Sequence, residues 1–258
     1  TFEEYANRYE SDKVVPYYPD NDNFSYTADD LINFFEDKDI SCLTVVNPDN
    51  PSGNYIPRED MLRLIRWTGE RNIHMIADES FVDFADEENA TLLQEELLDE
   101  YPHLTVIKSI SKSYGIPGLR LGIAASGNKD RICLLKKEVA IWNINSLGEF
   151  YMQIEEKYRN DYAAALVKVK AERERFAKAL GEIPGIRVIP SQADYLMIEL
   201  TGGHSADQVT ERLLNQYHCL VKDLSSKLSA DNRQFLRLAV RNQEEDDVLV
   251  DALRAVLV

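Results

Sequence analysis

The sequence predicts an α/β protein, with a mainly parallel sheet in a large domain and a smaller α+β domain at the C-terminal end. Through residue 125, short apolar runs that resemble strands alternate with helical patterns, which is typical of βα units and a parallel sheet. A long helical stretch follows, and beyond it the strand-like runs are less regularly separated by helices. We therefore place the large domain in residues 1–148, and the linking helix with the small domain in residues 149–258.

Four apolar runs predict the strands of the large domain, and two helical patterns lie among them. The predicted strands cover residues 42–46, 73–77, 104–107 and 121–125. Pro57 suits the first turn of a helix, and apolar residues from Met61 to Ile65 give that helix an inward face. Residues 92–98 predict the second helix.

The remainder of the chain predicts one long helix followed by the small domain. The helix is expected to run from near Ser146 to near Gly181, because apolar residues recur every three or four positions from Phe150 to Val169. Beyond it we expect strands at 186–189, 195–198, 219–221 and 235–240, with helices near 205–216 and 243–257.

Composition narrows the class of protein. The chain has 258 residues, 44% hydrophobic and 29% charged, which is typical of a soluble globular protein, and it contains no apolar run long enough to cross a bilayer. Its formal net charge of −16 argues against nucleic acid and anionic membranes as partners. Cys42, Cys133 and Cys219 are odd in number, and neither they nor the histidines have metal-ligand spacing. We expect reduced thiols, no metal site and a cytoplasmic location.

Lys112 lies in the segment that carries most chemical information. It follows an apolar strand, has Ser109 and Ser111 just before it, and is followed eight residues later by Arg120, beyond a Pro-Gly turn. Backbone and hydroxyl donors at a strand end can gather around an anion, and a lysine beside them can form a Schiff base with an aldehyde cofactor. The segment therefore predicts a pyridoxal phosphate site; a surface lysine and a surface ion pair are the simpler alternatives.

Three other residues are candidates for the same site. Asn50 lies in a Pro- and Gly-rich segment after the first strand, and its amide could face a cofactor hydroxyl. Asp78 ends the second strand, where a desolvated carboxylate needs a cation such as a protonated pyridine nitrogen. Arg237 lies in an otherwise apolar strand and needs a carboxylate or phosphate, with Lys222 adding charge nearby. A plain turn, a helix N-cap and a structural salt bridge are the respective alternatives.

Together these segments resemble the class I and II aminotransferases, which are fold-type I pyridoxal phosphate enzymes. Asn50 and Asp78 are 28 residues apart, and Asp78 and Lys112 are 34 apart, in the order that the family shows. The resemblance implies a large domain like that of pyridoxal phosphate transferases. It also implies these roles: Asn50 at the phenolic oxygen, Asp78 at the ring nitrogen, Lys112 as the attachment point, Ser109, Ser111 and Arg120 at the phosphate, and Arg237 at the substrate carboxylate.

Within that family the chain is similar to the branch of histidinol-phosphate aminotransferases and threonine-phosphate decarboxylases. Segments 78–84, 142–145 and 235–241 carry this resemblance, and it adds Phe81 to the cofactor-binding residues and Asn145 to the substrate-binding residues. Phe81 stands where many aminotransferases have a tyrosine. The missing hydroxyl removes one hydrogen bond to the cofactor and weakens the choice of transamination over decarboxylation.

The resulting expectation is an aminotransferase that moves an amino group between an amino acid and a 2-oxo acid or related carbonyl compound. Its substrates would be small molecules, and the resemblance implies a homodimer. Two alternatives remain open: decarboxylation of a phosphorylated amino acid, and a non-catalytic interaction domain. The family's earlier elements have no counterpart before Asn47, and residues 1–5 resemble a segment that normally follows them. We therefore expect a piece of a longer enzyme.

Overall fold

A computed structural model describes residues 3–228 and 232–257, and within them two four-stranded sheets form. The first sheet has the order β1-β2-β3-β4, and its strands are β1 Cys42–Val46, β2 His74–Asp78, β3 Leu104–Ser109 and β4 Gly122–Ala125. The second has the order β5-β6-β8-β7, and its strands are β5 Ile186–Ile189, β6 Tyr195–Leu200, β7 Lys222–Asp223 and β8 Phe235–Ala239. Thr1 and Phe2, part of the segment compared with the family above, lie outside the described residues.

Helices cover one or both sides of each sheet. Their bounds are α1 Glu3–Asn7, α2 Ala28–Phe35, α3 Arg58–Glu70, α4 Glu95–Glu100, α5 Lys129–Glu138, α6 Ser146–Ile154, α7 Arg159–Gly181, α8 Ala206–Tyr217 and α9 Gln243–Leu257. The sequence patterns did not predict α1, α2 or α5, and α4 begins three residues later than expected. No helix among the described residues is long and apolar enough to span a membrane.

The first sheet is mainly parallel, as predicted. β1, β2 and β3 run parallel in a register that places Val46 beside Asp78 and Asp78 beside Ile107, whereas β4 is antiparallel to β3. Apolar side chains of β2 and α3, such as Met75 and Ile65, are fully buried in one core. Since the three parallel strands end together, the residues at their carboxyl ends share one edge of the sheet.

The second sheet is antiparallel and has its own core, which makes the predicted α+β unit. Phe176 of α7, Ile198 of β6 and Leu253 of α9 are fully buried in it. The bounds of the predicted strand at 219–221 are wrong. Strand pairing begins only at Lys222, which lies opposite Arg237. The preceding residues end α8 instead, because the backbone N–H of Cys219 donates to Leu213 O (3.0 Å).

The single long helix expected from 146 to 181 is also wrong. The chain forms α6, a 3-10 turn at Glu155–Tyr158, and then α7. Phe150 is 58% exposed, whereas Phe176 near the end of α7 is fully buried. Both segments are helical, but α6 exposes an apolar residue to solvent and the end of α7 buries one. Apolar periodicity alone does not show where a helix is interrupted.

Contacts cross the predicted domain boundary, which falls inside α6. We call the unit around β5–β8 the second lobe. Phe24, early in the chain, packs edge-on against Phe235 of the second lobe with ring centroids 5.2 Å apart. Arg173 of α7 is 4% exposed and donates to Phe84 O and to Asp86 Oδ1, both at 2.7 Å, beside β2. The division at residue 148 stays a prediction.

Candidate active site

The ends of β1, β2 and β3 bring together residues that the sequence placed far apart. The backbone N–H of Asn47, directly after β1, donates to Asp78 O (2.9 Å). The hydroxyl of Ser80 donates to Asp78 Oδ1 (2.5 Å) and accepts from the backbone N–H of Ser109 (3.0 Å). Asp78 and the backbone of Ser109, three residues before Lys112, are therefore linked through the Ser80 side chain.

The loop after β1 positions Asn50. The Asn47 amide exchanges two hydrogen bonds of 2.8 Å with the backbone of Ile56, which closes the loop at its base. Tyr195 Oη of the second lobe donates to Asp49 O (2.6 Å). Next to it, Arg237 Nη1 donates to Asn50 Oδ1. Two candidates separated by most of the chain thus make direct contact.

Phe81 and Tyr195 form an aromatic pair at the centre of the candidate site. Their ring centroids are 5.1 Å apart and their planes are nearly perpendicular, at 87°. Lys112 Nζ lies 6.0 Å from the centroid of the Phe81 ring, and Arg237 Cζ lies 5.1 Å from that of Tyr195. The lysine and the arginine are therefore held at this one pair of rings, and Asp78 is three residues before Phe81.

The Asp78 carboxylate is 6% exposed and accepts several hydrogen bonds. Its Oδ1 accepts from the backbone N–H (2.9 Å) and the hydroxyl (2.5 Å) of Ser80, and its Oδ2 accepts from Tyr5 Oη (2.7 Å). Donors of this kind stabilise a buried charged carboxylate. They fit the place that the resemblance gives this residue, beside a cofactor nitrogen.

Asp194 adds a second acidic group that the sequence did not indicate. Burial raises the pKa of its carboxyl, while the nearby cations Lys112 and Arg237 lower it. Its Oδ1 is buried without a hydrogen-bond partner in the described structure. Two cations and two carboxylates therefore surround the aromatic pair.

Three further ionisable groups lie near the ends of β2 and β3: Lys108, Asp83 and Glu79. Lys108 of β3 pairs with Asp83 at 2.6 Å, and both side chains are mostly buried. Glu79 is 2% exposed, and burial raises the pKa of its carboxyl to about 7 against hydrogen bonds from Thr91 and Leu92 that lower it. These groups support the turn that carries Phe81.

The predicted phosphate-binding residues are less closely gathered. Ser111 is buried and Ser109 half-buried on either side of Ile110. Arg120 is exposed, has a left-handed backbone (φ 56°), and its Nη1 donates to Pro117 O at 3.3 Å. The role of these three residues at a phosphate stays a prediction.

The two remaining substrate-binding candidates lie at different places. Asn145 caps α6: its Oδ1 accepts from the Gly148 N–H and its Nδ2 donates to Leu119 O, both at 2.9 Å. Lys222 is exposed on β7 directly opposite Arg237, so both side chains leave the same face of the sheet. That placement fits the added positive charge expected near Arg237, and both roles stay predictions.

Sequence reasoning missed Tyr5, Asp194 and Tyr195. Tyr195 was included in a predicted strand as an apolar residue, and its contact with Phe81 depends on how the two lobes pack. One signal was present: Asp194 is an acidic residue directly before the apolar run of residues 195–198. Tyr5 lies in a five-residue helix that no periodicity could indicate.

Comparison with known proteins identifies the family. The family model described as aminotransferase class I and II matches residues 1–253. The chain belongs to this family. Its members use pyridoxal 5'-phosphate, so the cofactor expected from the sequence is confirmed at the level of the family.

Several family members with named activities are similar to the chain. L-serine phosphate decarboxylase of Sulfurospirillum multivorans is 33% identical over 94% of the chain and 63% of that relative. CMP-5'-(3-aminopropyl)phosphonate synthase of Streptomyces rubellomurinus is 31% identical over 99% of the chain and 40% of that relative. A histidinol-phosphate aminotransferase and a threonine-phosphate decarboxylase are also among the relatives, which confirms the branch. The chain thus spans 40% to 63% of the length of the first two.

Solved structures confirm the fold. The structure of a decarboxylase from Sulfurospirillum multivorans matches 94% of the chain and 69% of its own length, with a TM-score of 0.84 and 33% identity. Because the similar proteins include decarboxylases and a synthase as well as aminotransferases, the expected transaminase activity is not decided by family membership.

Proposed function

We propose that this chain carries the cofactor and substrate site of a pyridoxal phosphate-dependent decarboxylase of a phosphorylated amino acid. The observation that carries the proposal is the arrangement of Asp78, Lys112, Asn50 and Arg237 around the Phe81–Tyr195 pair. The similarity to L-serine phosphate decarboxylase supports the choice of reaction. The chain covers 40% and 63% of the length of two of its relatives, so their activities come to it only as a proposal.

The residues present fit the ring end of the cofactor. Asp78 Oδ2 would hold the ring nitrogen, Asn50 the phenolic oxygen and Lys112 the aldehyde carbon, with Phe81 packing nearby. The buried Asp78, supplied with donors but with no cation among its described contacts, suits a protonated nitrogen. When bound, pyridoxal phosphate supplies an electron sink for negative charge that develops at the α-carbon.

Arg237 would select and orient the substrate. Its Nη1 already contacts Asn50, and the rest of its planar fork can bind an α-carboxylate. The bond that lies perpendicular to the cofactor ring is the one that breaks, so the angle at which Arg237 holds the carboxylate decides the reaction. Lys222, on the same face, would attract the substrate's phosphate.

Lys112 would carry the proton. Its side chain is exposed, so its amine can exchange protons with solvent between turnovers. In decarboxylation the amine donates a proton to the α-carbon after carbon dioxide leaves; in transamination it removes the α-proton. One residue thus serves either reaction.

Transamination is the second candidate. The similarity to histidinol-phosphate aminotransferases favours it, since one such relative from Ruminiclostridium cellulolyticum is 28% identical over 95% of the chain. The same residues would act with the Cα–H bond perpendicular to the ring. Phe81, which lacks the hydroxyl found at this position in many aminotransferases, gives no support to this candidate.

Product analysis separates the candidates. The chain is incubated with pyridoxal phosphate, an unlabelled 2-oxo acid as amino acceptor, and O-phospho-L-serine or O-phospho-L-threonine labelled at the carboxylate. Carbon dioxide and the 2-oxo acid formed from the labelled substrate are both measured. Release of carbon dioxide without oxo acid is the expected result. Oxo acid without carbon dioxide would instead establish transamination. If neither carbon dioxide nor oxo acid forms above the level seen with the Lys112→Ala control, the catalytic proposal is wrong. The alternative of an interaction domain would then remain.

A further inference from the structure

Tyr5 connects the first helix to the candidate site. Its hydroxyl donates to Asp78 Oδ2 at 2.7 Å, across 73 residues of sequence. The same short helix is held at a second point, because Glu3 Oε1 lies 3.1 Å from Lys227 Nζ of the second lobe. The short helix that carries Tyr5 therefore contacts both the end of β2, through Asp78, and the second lobe, through Lys227.

The hydrogen bonds of Asp78 leave room for one more partner. A carboxylate has about four lone-pair positions, two on each oxygen. Ser80 occupies both positions on Oδ1 through its N–H and its hydroxyl, and Tyr5 occupies one on Oδ2. Among these described contacts, one position on Oδ2 remains, beside the one that Tyr5 fills. A protonated ring nitrogen needs one such position.

Tyr5 is suited to remain a donor. Burial raises the pKa of its hydroxyl, and the neighbouring charge of Asp78 raises it further. The proton therefore stays on the tyrosine hydroxyl, which remains a hydrogen-bond donor, throughout the range in which enzymes work.

We propose that Tyr5 is a positioning residue, whose hydrogen bond to Oδ2 turns the Asp78 carboxylate so that its remaining lone pair faces the cofactor nitrogen. This inference rests on the proposed function, because it requires the cofactor to meet Asp78. It differs from a blocking role, in which the Tyr5 hydroxyl would occupy the place of the ring nitrogen. The two roles predict opposite changes in cofactor affinity.

The test compares Tyr5→Phe with Tyr9→Phe in the whole chain. Tyr9 is an exposed tyrosine four residues further on, so its variant controls for loss of a hydroxyl in the same segment. Affinity for pyridoxal phosphate is measured by absorbance titration, and the absorbance of the bound cofactor is followed against pH. We expect Tyr5→Phe to weaken binding about tenfold, since one hydrogen bond to a charged group is lost. We also expect its absorbance transition to move to higher pH, because Asp78 then bears more uncompensated charge. Tyr9→Phe should change neither quantity.

Three results would overturn the inference alone. Tighter binding by Tyr5→Phe would show a blocking role, and unchanged binding would show that the contact does not reach the cofactor. Weaker binding with an unmoved absorbance transition would reduce Tyr5 to an anchor of the first helix. If the unaltered chain binds no cofactor, the proposed function itself falls, and this inference falls with it.

Discussion

At the scale of single residues, the chain buries carboxyl groups that prefer to be protonated when it is folded. Glu79 is 2% exposed, and burial raises the pKa of its carboxyl from 4.5 to about 7. Asp246 in α9 is also buried, and burial raises its pKa to about 7, aided by a hydrogen bond with Glu172. In the unfolded chain both groups ionise at lower pH, so folding and proton binding are linked.

This linkage predicts that stability falls as pH rises. A raised carboxyl pKa contributes stability below the unfolded value near 4.5, and this contribution is lost as pH passes through 7. For Glu79 alone, the loss is about 3 kcal/mol by order of magnitude. The free energy of unfolding, measured by urea titration, should decrease from pH 5 to pH 8, and decrease less in Glu79→Gln. Equal slopes in both proteins would show that Glu79 does not cause the dependence.

Residue identity alone indicated the candidate site residues but not the residues that contact them. Lys112 and Asp78 were indicated because a lysine with flanking hydroxyls, and a carboxylate at the end of an apolar strand, are unusual in those contexts; their roles stay predictions. Tyr5 and Tyr195 have no such local signal, since their contacts depend on lobes and helices that pack only in the folded chain.

At the scale of elements, the loop from Asn47 to Ile56 carries Asn50 and packs against the second lobe. Gly53 in this loop has a left-handed backbone (φ 76°), and its carbonyl oxygen accepts from the Gln192 N–H at 2.9 Å. A Cβ at Gly53 would lie 2.0 Å from Ser191 Oγ and 2.9 Å from Ser191 Cα. The loop therefore requires a glycine there for two independent reasons, conformation and space.

We predict that Gly53→Ala destabilises the chain much more than Gly115→Ala. Gly115 also has a positive φ (65°) but no atom within 4 Å of an added Cβ, so its substitution carries only the backbone strain, about 1 kcal/mol. Gly53→Ala adds the collision with Ser191, and we expect a loss of about 3 kcal/mol or more in urea unfolding. Similar losses for both variants would contradict the close packing of this loop.

Elements were predicted well where a short apolar run forms a parallel strand, and poorly where packing decided the outcome. The parallel strands β1 to β3 fall within two residues of their expected bounds. The interruption between α6 and α7, and the start of β7 at Lys222, depend on local hydrogen bonds at helix ends that the apolar pattern does not encode.

At the scale of the whole molecule, many large apolar side chains of α5, α6 and their connection are exposed. Trp142 is 93% and Ile141 84% exposed, and Leu134, Leu147 and Phe150 are more than half exposed. A monomeric protein rarely leaves so large an apolar surface in water. We call these five side chains the apolar face.

The family resemblance implies a homodimer, and the apolar face makes self-association of the chain testable. Sedimentation velocity should show a mass above that of one chain, increasing with concentration. The pair Trp142→Ser and Phe150→Ser should lower this association, because it removes apolar area. Tyr18→Ser, which changes an exposed aromatic residue elsewhere, should leave it unchanged. A single-chain mass at every concentration would contradict the homodimer.

Lys112 is proposed to hold pyridoxal phosphate at the edge of the first sheet, near Asp78. This assignment can be tested by borohydride reduction of the chain with bound cofactor, followed by proteolysis and mass spectrometry. We expect a pyridoxyl group on Lys112, and none at that position in Lys112→Ala. A chain that remains colourless and unlabelled, or a label confined to other lysines, would contradict it.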